Sequence, residues 1–436
     1  MVSAHTSNQT KTTAIKGGIL TIKKEFLMKK HIPSNLETLT QTANRILLLL
    51  QGPIGYFFRD FSNWLSQAHG KHVFKINFNC GDEFYYPNNL PNTFTYRDSL
   101  EQFAEYLTIF IKKYHIHAIV CFGDTRPYHQ IAKRIAEQHQ LKFWVFEEGY
   151  FRPYLVTLEQ HGVNALSHLP QQATFFLNSL PKLAQQHYQA PPKVSSGFWV
   201  NACPAMRYYY QARRGQQHYP HYIHHRAYSV RFYCKNWFYS VAKRVFHWSY
   251  EWIFNHKVKQ GKLGRFYIVP LQVSTDSQIR FHSDFSSVQS FLMQTMASFA
   301  LYAPPDSKLI IKHHPMDRGF TNYRKYIRAF IKKHPNCKHR IFYVHDVSLP
   351  ELLRKGAGMV VVNSTSGLSA LLHNMPVIAL GRANYDFESL TFQGNLRDFW
   401  TKATPPDPKV FHAFRQYHMN VTQINGHFYS KVNLPH

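Results

Sequence analysis

The chain has 436 residues, with 51 Lys and Arg against 24 Asp and Glu, a formal net charge of +27 with its 28 histidines counted as neutral. A hydrophobic share of 44% and an aromatic share of 16% exclude a disordered or low-complexity chain, and the length exceeds what one core organises, so two domains of ordinary size are expected. So large a cationic excess implies a phosphate-rich partner, whether nucleic acid, an anionic bilayer or a nucleotide-linked substrate, without choosing among them.

Residues 1–40 are polar with scattered Lys and Thr and are expected to form a flexible extension. From Arg45 the pattern becomes regular. "ILLLLQGPIG" is a buried-strand run ending in a glycine turn, and "YFFRDFSNWLSQAHG" has helical spacing closed by Gly70. "HVFKINFN" is a strand, "EQFAEYLTIFIKKYH" a helix and "IHAIVCFGD" a strand. "RPYHQIAKRIAEQHQ" is a helix with Pro127 in its first turn, and "KFWVFEEG" is a further strand. The same alternation restarts after residue 262 with "GRFYIVPLQV", "SVQSFLMQTMASFALYA", "SKLIIKHHP", "NYRKYIRAFIKKH", "RIFYVHD", "LPELLRKG", "AGMVVVNSTSG", "LSALLHNM" and "PVIALG".

Strand alternating with helix predicts mostly parallel sheets covered on both faces. The expected fold is therefore α/β: two Rossmann-like domains facing a cleft, the arrangement of GT-B-like glycosyltransferases. The predicted division is an N-terminal domain over 41–170, a helical insertion over 171–261, a second domain over 262–400, and a C-terminal helix and tail over 401–436. Between Ala205 and Gln260 the insertion is dense in Tyr, Trp, Phe, Arg, Lys and His, with Glu251 its only acid.

No apolar run approaches the ~20 residues that span a bilayer, and the amino terminus lacks a signal-peptide pattern, so a cytoplasmic location is expected. The five cysteines, Cys80, Cys121, Cys203, Cys234 and Cys337, form no CxxC or metal-like spacing and are read as reduced thiols.

In open α/β sheets the loops after the strands line the ligand crevice. Here they carry Gln51, Gly52 and Gly55; Glu147 and Glu148; Gln272, Asp276, Ser277 and Gln278; Lys312, His313, His314, Asp317 and Arg318; and Asn363, Ser364, Thr365 and Ser366. Asn-Ser-Thr-Ser-Gly running from a strand into a helix offers hydroxyls and free N–H groups to a phosphate, although Ser364 or Thr365 also fits as a plain N-cap. In "KHHP" either histidine can hydrogen-bond a phosphate or a base edge, with Pro315 setting the turn; no Cys or third His lies at zinc-site spacing. Glu147 or Glu148 from one domain and Asp276 from the other supply the two carboxyls that retaining glycosyl transfer requires, one as acid/base and one as nucleophile, while a solvated turn and a cap are the bland readings.

The stretches "LLLLQGPIGYFFRDF", "KINFNCGDEFYY", "FGDTRPYH", "VFEEGYFRPYLVTLEQHGVN", "VPLQVSTDSQIRFHS", "IKHHPMDRG" and "VVNSTSGLSALLHNMPVIALGRANYDFESLT" together resemble the capsule polysaccharide synthesis proteins of the KpsS/LipB type, retaining β-Kdo transferases of Gram-negative bacteria. The resemblance implies transfer of Kdo from CMP-β-Kdo to a lysophosphatidylglycerol acceptor at the inner face of the inner membrane, starting the poly-Kdo linker. It implies Glu148 as acid/base, with Glu147 the other candidate, and Asp276 as nucleophile. His314 with Pro315 would hold CMP; Ser364, Thr365 and Ser366 its phosphate; and Lys312, Asn363 and Gln272 would complete the donor site. No metal or other cofactor is implied. The expected partners are CMP-Kdo, an anionic lysophospholipid, the membrane surface met by the aromatic and basic insertion, and other capsule synthesis and export proteins as candidates. The competing readings are a linker-extending Kdo transferase, a non-catalytic membrane-associated assembly factor, and a nucleic-acid-binding protein. The single motif set weighs against the first, and the concentration of basic and aromatic residues outside the two α/β domains against the last.

Overall fold

The computed structural model describes residues 31–49, 52–183, 191–224, 230–273 and 283–435. The two α/β domains expected from the strand and helix rhythm are present. The first sheet contains β1 (Arg45–Leu49), β2 (His72–Asn77), β3 (Thr93–Thr95), β4 (Ala118–Phe122), β5 (Lys142–Glu148) and β6 (Leu155–Gln160). The second contains β7 (Phe266–Pro270), β8 (Lys308–Lys312), β9 (Ile341–Val344), β10 (Gly358–Val361) and β11 (Val377–Ala379).

Both sheets share one parallel order: β3-β2-β1-β4-β5 in the first, β9-β8-β7-β10-β11 in the second. Each is a doubly wound, Rossmann-like sheet whose strand order reverses at one point, between β1 and β4 and between β7 and β10, where such sheets open a ligand crevice at their carboxyl ends. Alternate residues of each central strand feed the two faces. Ile46 and Leu48 join the core with Phe58, Phe61 and Trp144, while Leu47 and Leu49 join that of Phe74, Phe103 and Tyr128.

Several boundaries differ from those read in the sequence. The expected extension ends at Ser34, which caps the helix Asn35–Thr42 by accepting from the Glu37 amide while the Glu37 carboxylate accepts from the Ser34 amide. Leu36 and Leu39 of that helix are buried in the first domain, because an amphipathic turn with a closed capping box forms wherever a core face is open to it.

At the other end, the helix Pro408–Val421 leads to β12 (Gln423–Asn425), which pairs antiparallel with β6 in the first sheet. The tail is part of the first domain rather than an appendage: Phe428 packs against Phe57 and Phe122 at ring separations of 4.9 and 5.0 Å.

The segment expected as one insertion is held by both domains. Its helix Phe198–Arg214 docks on the first through Tyr208, fully buried, whose hydroxyl accepts from Asn79 Nδ2 at 2.7 Å and donates to Asp82 Oδ1 at 3.2 Å. The long helix Val230–Lys259 docks on the second. Its lone acid Glu251 accepts backbone N–H bonds from His345 at 2.7 Å and from Asp346 at 2.7 Å. A buried polar group needs partners, and these two find theirs on opposite domains. Among the described residues no helix is long and apolar enough to cross a membrane.

Candidate active site

Both sheets point polar strand ends at their switch points. In the second domain Gln272, just past β7, donates from Nε2 to Asn363 Oδ1, just past β10, at 2.9 Å. This bond spans the place where the strand order reverses. Gln272 is largely buried and its Oε1 has no partner among the described residues, leaving an acceptor at the strand end. Asp276, Ser277 and Gln278 lie outside the described residues, as does Gln51.

Following Asn363, Ser364 accepts from the Ser366 amide at 3.2 Å, and its hydroxyl lies 3.2 Å from that of Ser366. Thr365 occupies the N-cap position with no side-chain capping bond, so its hydroxyl is not used as a cap. The following helix runs only from Ser366 to Leu372, so what this loop offers a phosphate is its local hydroxyls and N–H groups rather than the summed dipole of a long helix. The loop is braced from below: Tyr385 donates to the Ser364 carbonyl at 2.5 Å, and its hydroxyl stands 2.4 Å from where a Cβ on Gly367 would be. Tyr385 is 1% exposed and tied by that bond, so it has nowhere to retreat. A Gly367→Ala variant is therefore expected to lose about 1 to 3 kcal/mol of stability from overpacking and to loosen the serine loop, measured as a lower denaturation midpoint.

The two histidines of "KHHP" separate. His313 is 1% exposed, and its Nδ1 meets the Tyr343 hydroxyl at 2.7 Å, so it is a packing residue. His314 is half-buried at the start of the turn Pro315–Asp317, and its Nδ1 accepts from the Met316 amide at 3.2 Å. That bond leaves the proton of the neutral ring on Nε2, free to donate to a ligand oxygen. Burial, then Lys312, then Arg152 push the His314 pKa down to about 4, so the ring is neutral near pH 7.

Lys312 departs from its expected place at the ligand. Its ammonium is buried and donates to the His345 carbonyl at 3.1 Å, and burial lowers its pKa to about 8. It acts on the site as a nearby positive charge.

The opposing carboxylates close β5. Successive strand residues face opposite ways, so Glu147 and Glu148 serve different environments. Glu147 accepts from the Glu148 amide at 3.0 Å and lies on the side of Gly123 and Arg126; burial above all raises its pKa to about 7, with Glu148 and Asp124 adding and Arg126 opposing. Glu148 lies on the side of Arg152 and of His427 from the C-terminal tail, and burial lowers the His427 pKa while Glu148 and Arg152 pull it in opposite directions. Arg152 donates to the Gly149 carbonyl at 3.3 Å, and its charge also lowers the pKa of His314 in the second domain. Arg152 sits in the quoted "EEGYFRP" stretch, yet nothing local marks it. His427 reaches the site only because β12 pairs with β6, which no local pattern could indicate.

Two doubly wound parallel sheets, each with polar residues at its switch point, define the class: a two-domain, Rossmann-like α/β protein. The profile of the family described as "Capsule polysaccharide biosynthesis protein" matches residues 117–429. The capsule polysaccharide modification protein LipB of Neisseria meningitidis serogroup B is 54% identical over 404 residues, covering 93% of this chain and 96% of that protein. The capsule polysaccharide export protein KpsS of Escherichia coli is 38% identical over 391 residues, covering 88% and 96% respectively. Among solved structures, the beta Kdo 2,7 transferase of Thermosulfurimonas dismutans KpsC aligns with 81% of this chain and 91% of its own at 12% identity and a TM-score of 0.37. The chain belongs to the capsule polysaccharide biosynthesis family.

Proposed function

We propose that the protein is a retaining glycosyltransferase that moves Kdo from CMP-β-Kdo to a lysophosphatidylglycerol acceptor, initiating the poly-Kdo linker of capsular polysaccharide. The observation that carries this reading is the polar arrangement at the switch point of the second sheet: Gln272 bonded to Asn363, the Ser364 to Ser366 hydroxyl loop that follows, and His314 with its Nε2–H left to donate. Membership of the capsule family supports the pathway.

In this scheme Gln272, Asn363, Ser364, Thr365 and Ser366 hold the donor phosphate while His314 Nε2–H donates to CMP. The Asp276 carboxylate attacks the anomeric carbon as the bond from that carbon to the CMP phosphate oxygen breaks, and CMP leaves with the electron pair. Glu148 then takes the proton of the acceptor hydroxyl, whose oxygen attacks the same carbon and releases Asp276.

The membrane-facing half of the proposal rests on the long helix. Phe238, Val241, Val245, Trp248 and Trp252 recur at alternating spacings of three and four and form one exposed stripe, with Phe238 81% and Trp248 64% exposed. Set among Lys and Arg, such a stripe suits the interface of an anionic bilayer, which supports a peripheral position on a membrane surface, in this reading the inner face of the inner membrane.

Mass spectrometry of a lysophosphatidylglycerol acceptor incubated with CMP-Kdo tests the reading: the native protein is expected to add one Kdo, and Asp276→Ala to add none while keeping its thermal midpoint. An acceptor left unmodified by the native protein would favour the non-catalytic assembly factor, and full turnover by Asp276→Ala would remove Asp276 as nucleophile.

A further inference from the structure

A second polar cavity lies between the long helix and the second domain, away from the switch-point residues. Of about 360 Å³, it is lined by Tyr239, Lys243, Phe246 and His247 on one face of the helix and by Arg318, Arg324 and His345 from the loops beyond β8 and β9. Its walls are fixed from both ends. At one, a Cβ on Gly319 would stand 2.1 Å from the Asn236 carbonyl oxygen, so helix and loop are in direct contact. At the other, Glu251 holds the His345 and Asp346 amides.

The charge in this cavity is unbalanced. Asp346 pairs with Arg318, and Glu251 is taken up by His345 and Asp346. No ion pair among the described residues involves Lys243 or Arg324. Lys243 donates to the Arg318 carbonyl at 3.3 Å, and its pKa is lowered by burial and then by Arg324, as for a cation facing another cation.

One buried N–H is also without a partner among the described residues: Arg318 Nε, on a residue 7% exposed. A buried N–H left unpaired is costly, so this geometry favours a ligand that brings acceptor oxygens.

His247, Glu251 and His345 also bring one ligand atom each within 4.8 Å of the others, the spacing of a metal site. The electrostatics oppose a cation there. Both Glu251 oxygens already accept N–H bonds, and Lys312, Arg318 and Arg324 surround the group. An anion is the occupant that such surroundings attract.

We propose that this cavity is a phosphate-binding site separate from the cleft, taking a phosphate mono- or diester on Lys243, Arg318 and Arg324 with its organic substituent between Tyr239 and Phe246. The volume is many times the roughly 30 Å³ share of one water, enough for a phosphate and a glycerol-sized group. Tyr239 and Phe246 are 54% and 62% exposed, so the mouth opens on the aromatic side of the helix. The same chemistry is offered by a soluble phosphoester and by a phospholipid headgroup.

The test is calorimetric titration of the full chain with glycerol 3-phosphate, alongside sedimentation with vesicles of phosphatidylglycerol or of phosphatidylcholine. The variants are Lys243→Gln with Arg324→Gln, and, as a control removing two charges from the same helix beyond the cavity, Lys257→Gln with Lys259→Gln. Loss of two charge-assisted contacts is expected to weaken binding about tenfold or more in the first variant, with CMP affinity unchanged and the control like the native protein. An effect confined to glycerol 3-phosphate identifies a soluble ester as occupant. An effect on phosphatidylglycerol vesicles but not on phosphatidylcholine identifies a lipid headgroup. Absence of binding by the native protein to both phosphate probes, equal losses in the control, or a zinc-induced rise in the thermal midpoint that disappears in His247→Ala would overturn the assignment.

Discussion

A Glu148→Gln variant is expected to transfer Kdo on the order of 10²- to 10⁴-fold more slowly than the native protein, the range lost with a general acid/base, while its thermal midpoint stays unchanged. Gln keeps the shape and the hydrogen bonds but cannot take the acceptor proton. Glu147→Gln is expected to behave differently, because the Glu147 carboxyl is held by the Glu148 amide and its pKa is raised by burial. With its pKa raised to about 7 by burial, Glu147 is taken up neutral at low pH and becomes a buried charge as pH rises. It therefore contributes stability that is fully present below about pH 4.5 and lost as pH climbs through about 7, worth on the order of 3 kcal/mol. Glu147→Gln should remove that loss, so that urea midpoints at pH 5 and pH 8 converge relative to the native protein. Should Glu147→Gln abolish transfer while Glu148→Gln retains it, the two roles are exchanged.

The second large effect separates the paired histidines. His314→Ala is expected to weaken CMP binding by at least about tenfold, read by calorimetry, because a neutral Nε2–H donor to a charged phosphate contributes roughly 1.5 to 3 kcal/mol. Its midpoint of unfolding should move little, since the ring is only half-buried and its one protein bond is local. His313→Ala is expected to do the reverse. It opens a cavity in a packed region and leaves the Tyr343 hydroxyl without its partner, a loss of about 2 to 4 kcal/mol that lowers the thermal midpoint. Unchanged CMP affinity in His314→Ala would take this residue out of the donor site.

Much of this molecule was legible in one dimension because its chemistry sits at the ends of parallel strands. Buried strands such as "AIVCF" and "FYIVP" read as short apolar runs, amphipathic helices read by their spacing, and in a doubly wound sheet the loops after the strands border the crevice. Gln272 and Asn363 illustrate this. They are 91 positions apart, each follows a strand, and they meet at 2.9 Å.

What the same reading could not reach was the direction of a side chain once it left the strand. Lys312 and His314 are two residues apart and carry equally plausible phosphate chemistry, yet one turns into the domain to reach the His345 carbonyl and the other faces the cleft. The Ser34 capping box was visible in principle, as a serine followed three positions later by Glu37, but was masked by the polar composition around it.

The amino-acid sequence alone determined the class of fold, the family and the strand-end motifs, because each of these is written in local periodicity and in blocks of adjacent residues. Only the tertiary structure decided that the C-terminal tail completes the first sheet and brings His427 near Glu148, that Gln272 meets Asn363, and that the lone acid of the aromatic segment, Glu251, fastens a cationic cavity in place. The physical reason is common to all three. Each depends on a buried or cleft-facing polar group finding its partner from a distant part of the chain, and such pairings are set by packing and not by neighbours in sequence.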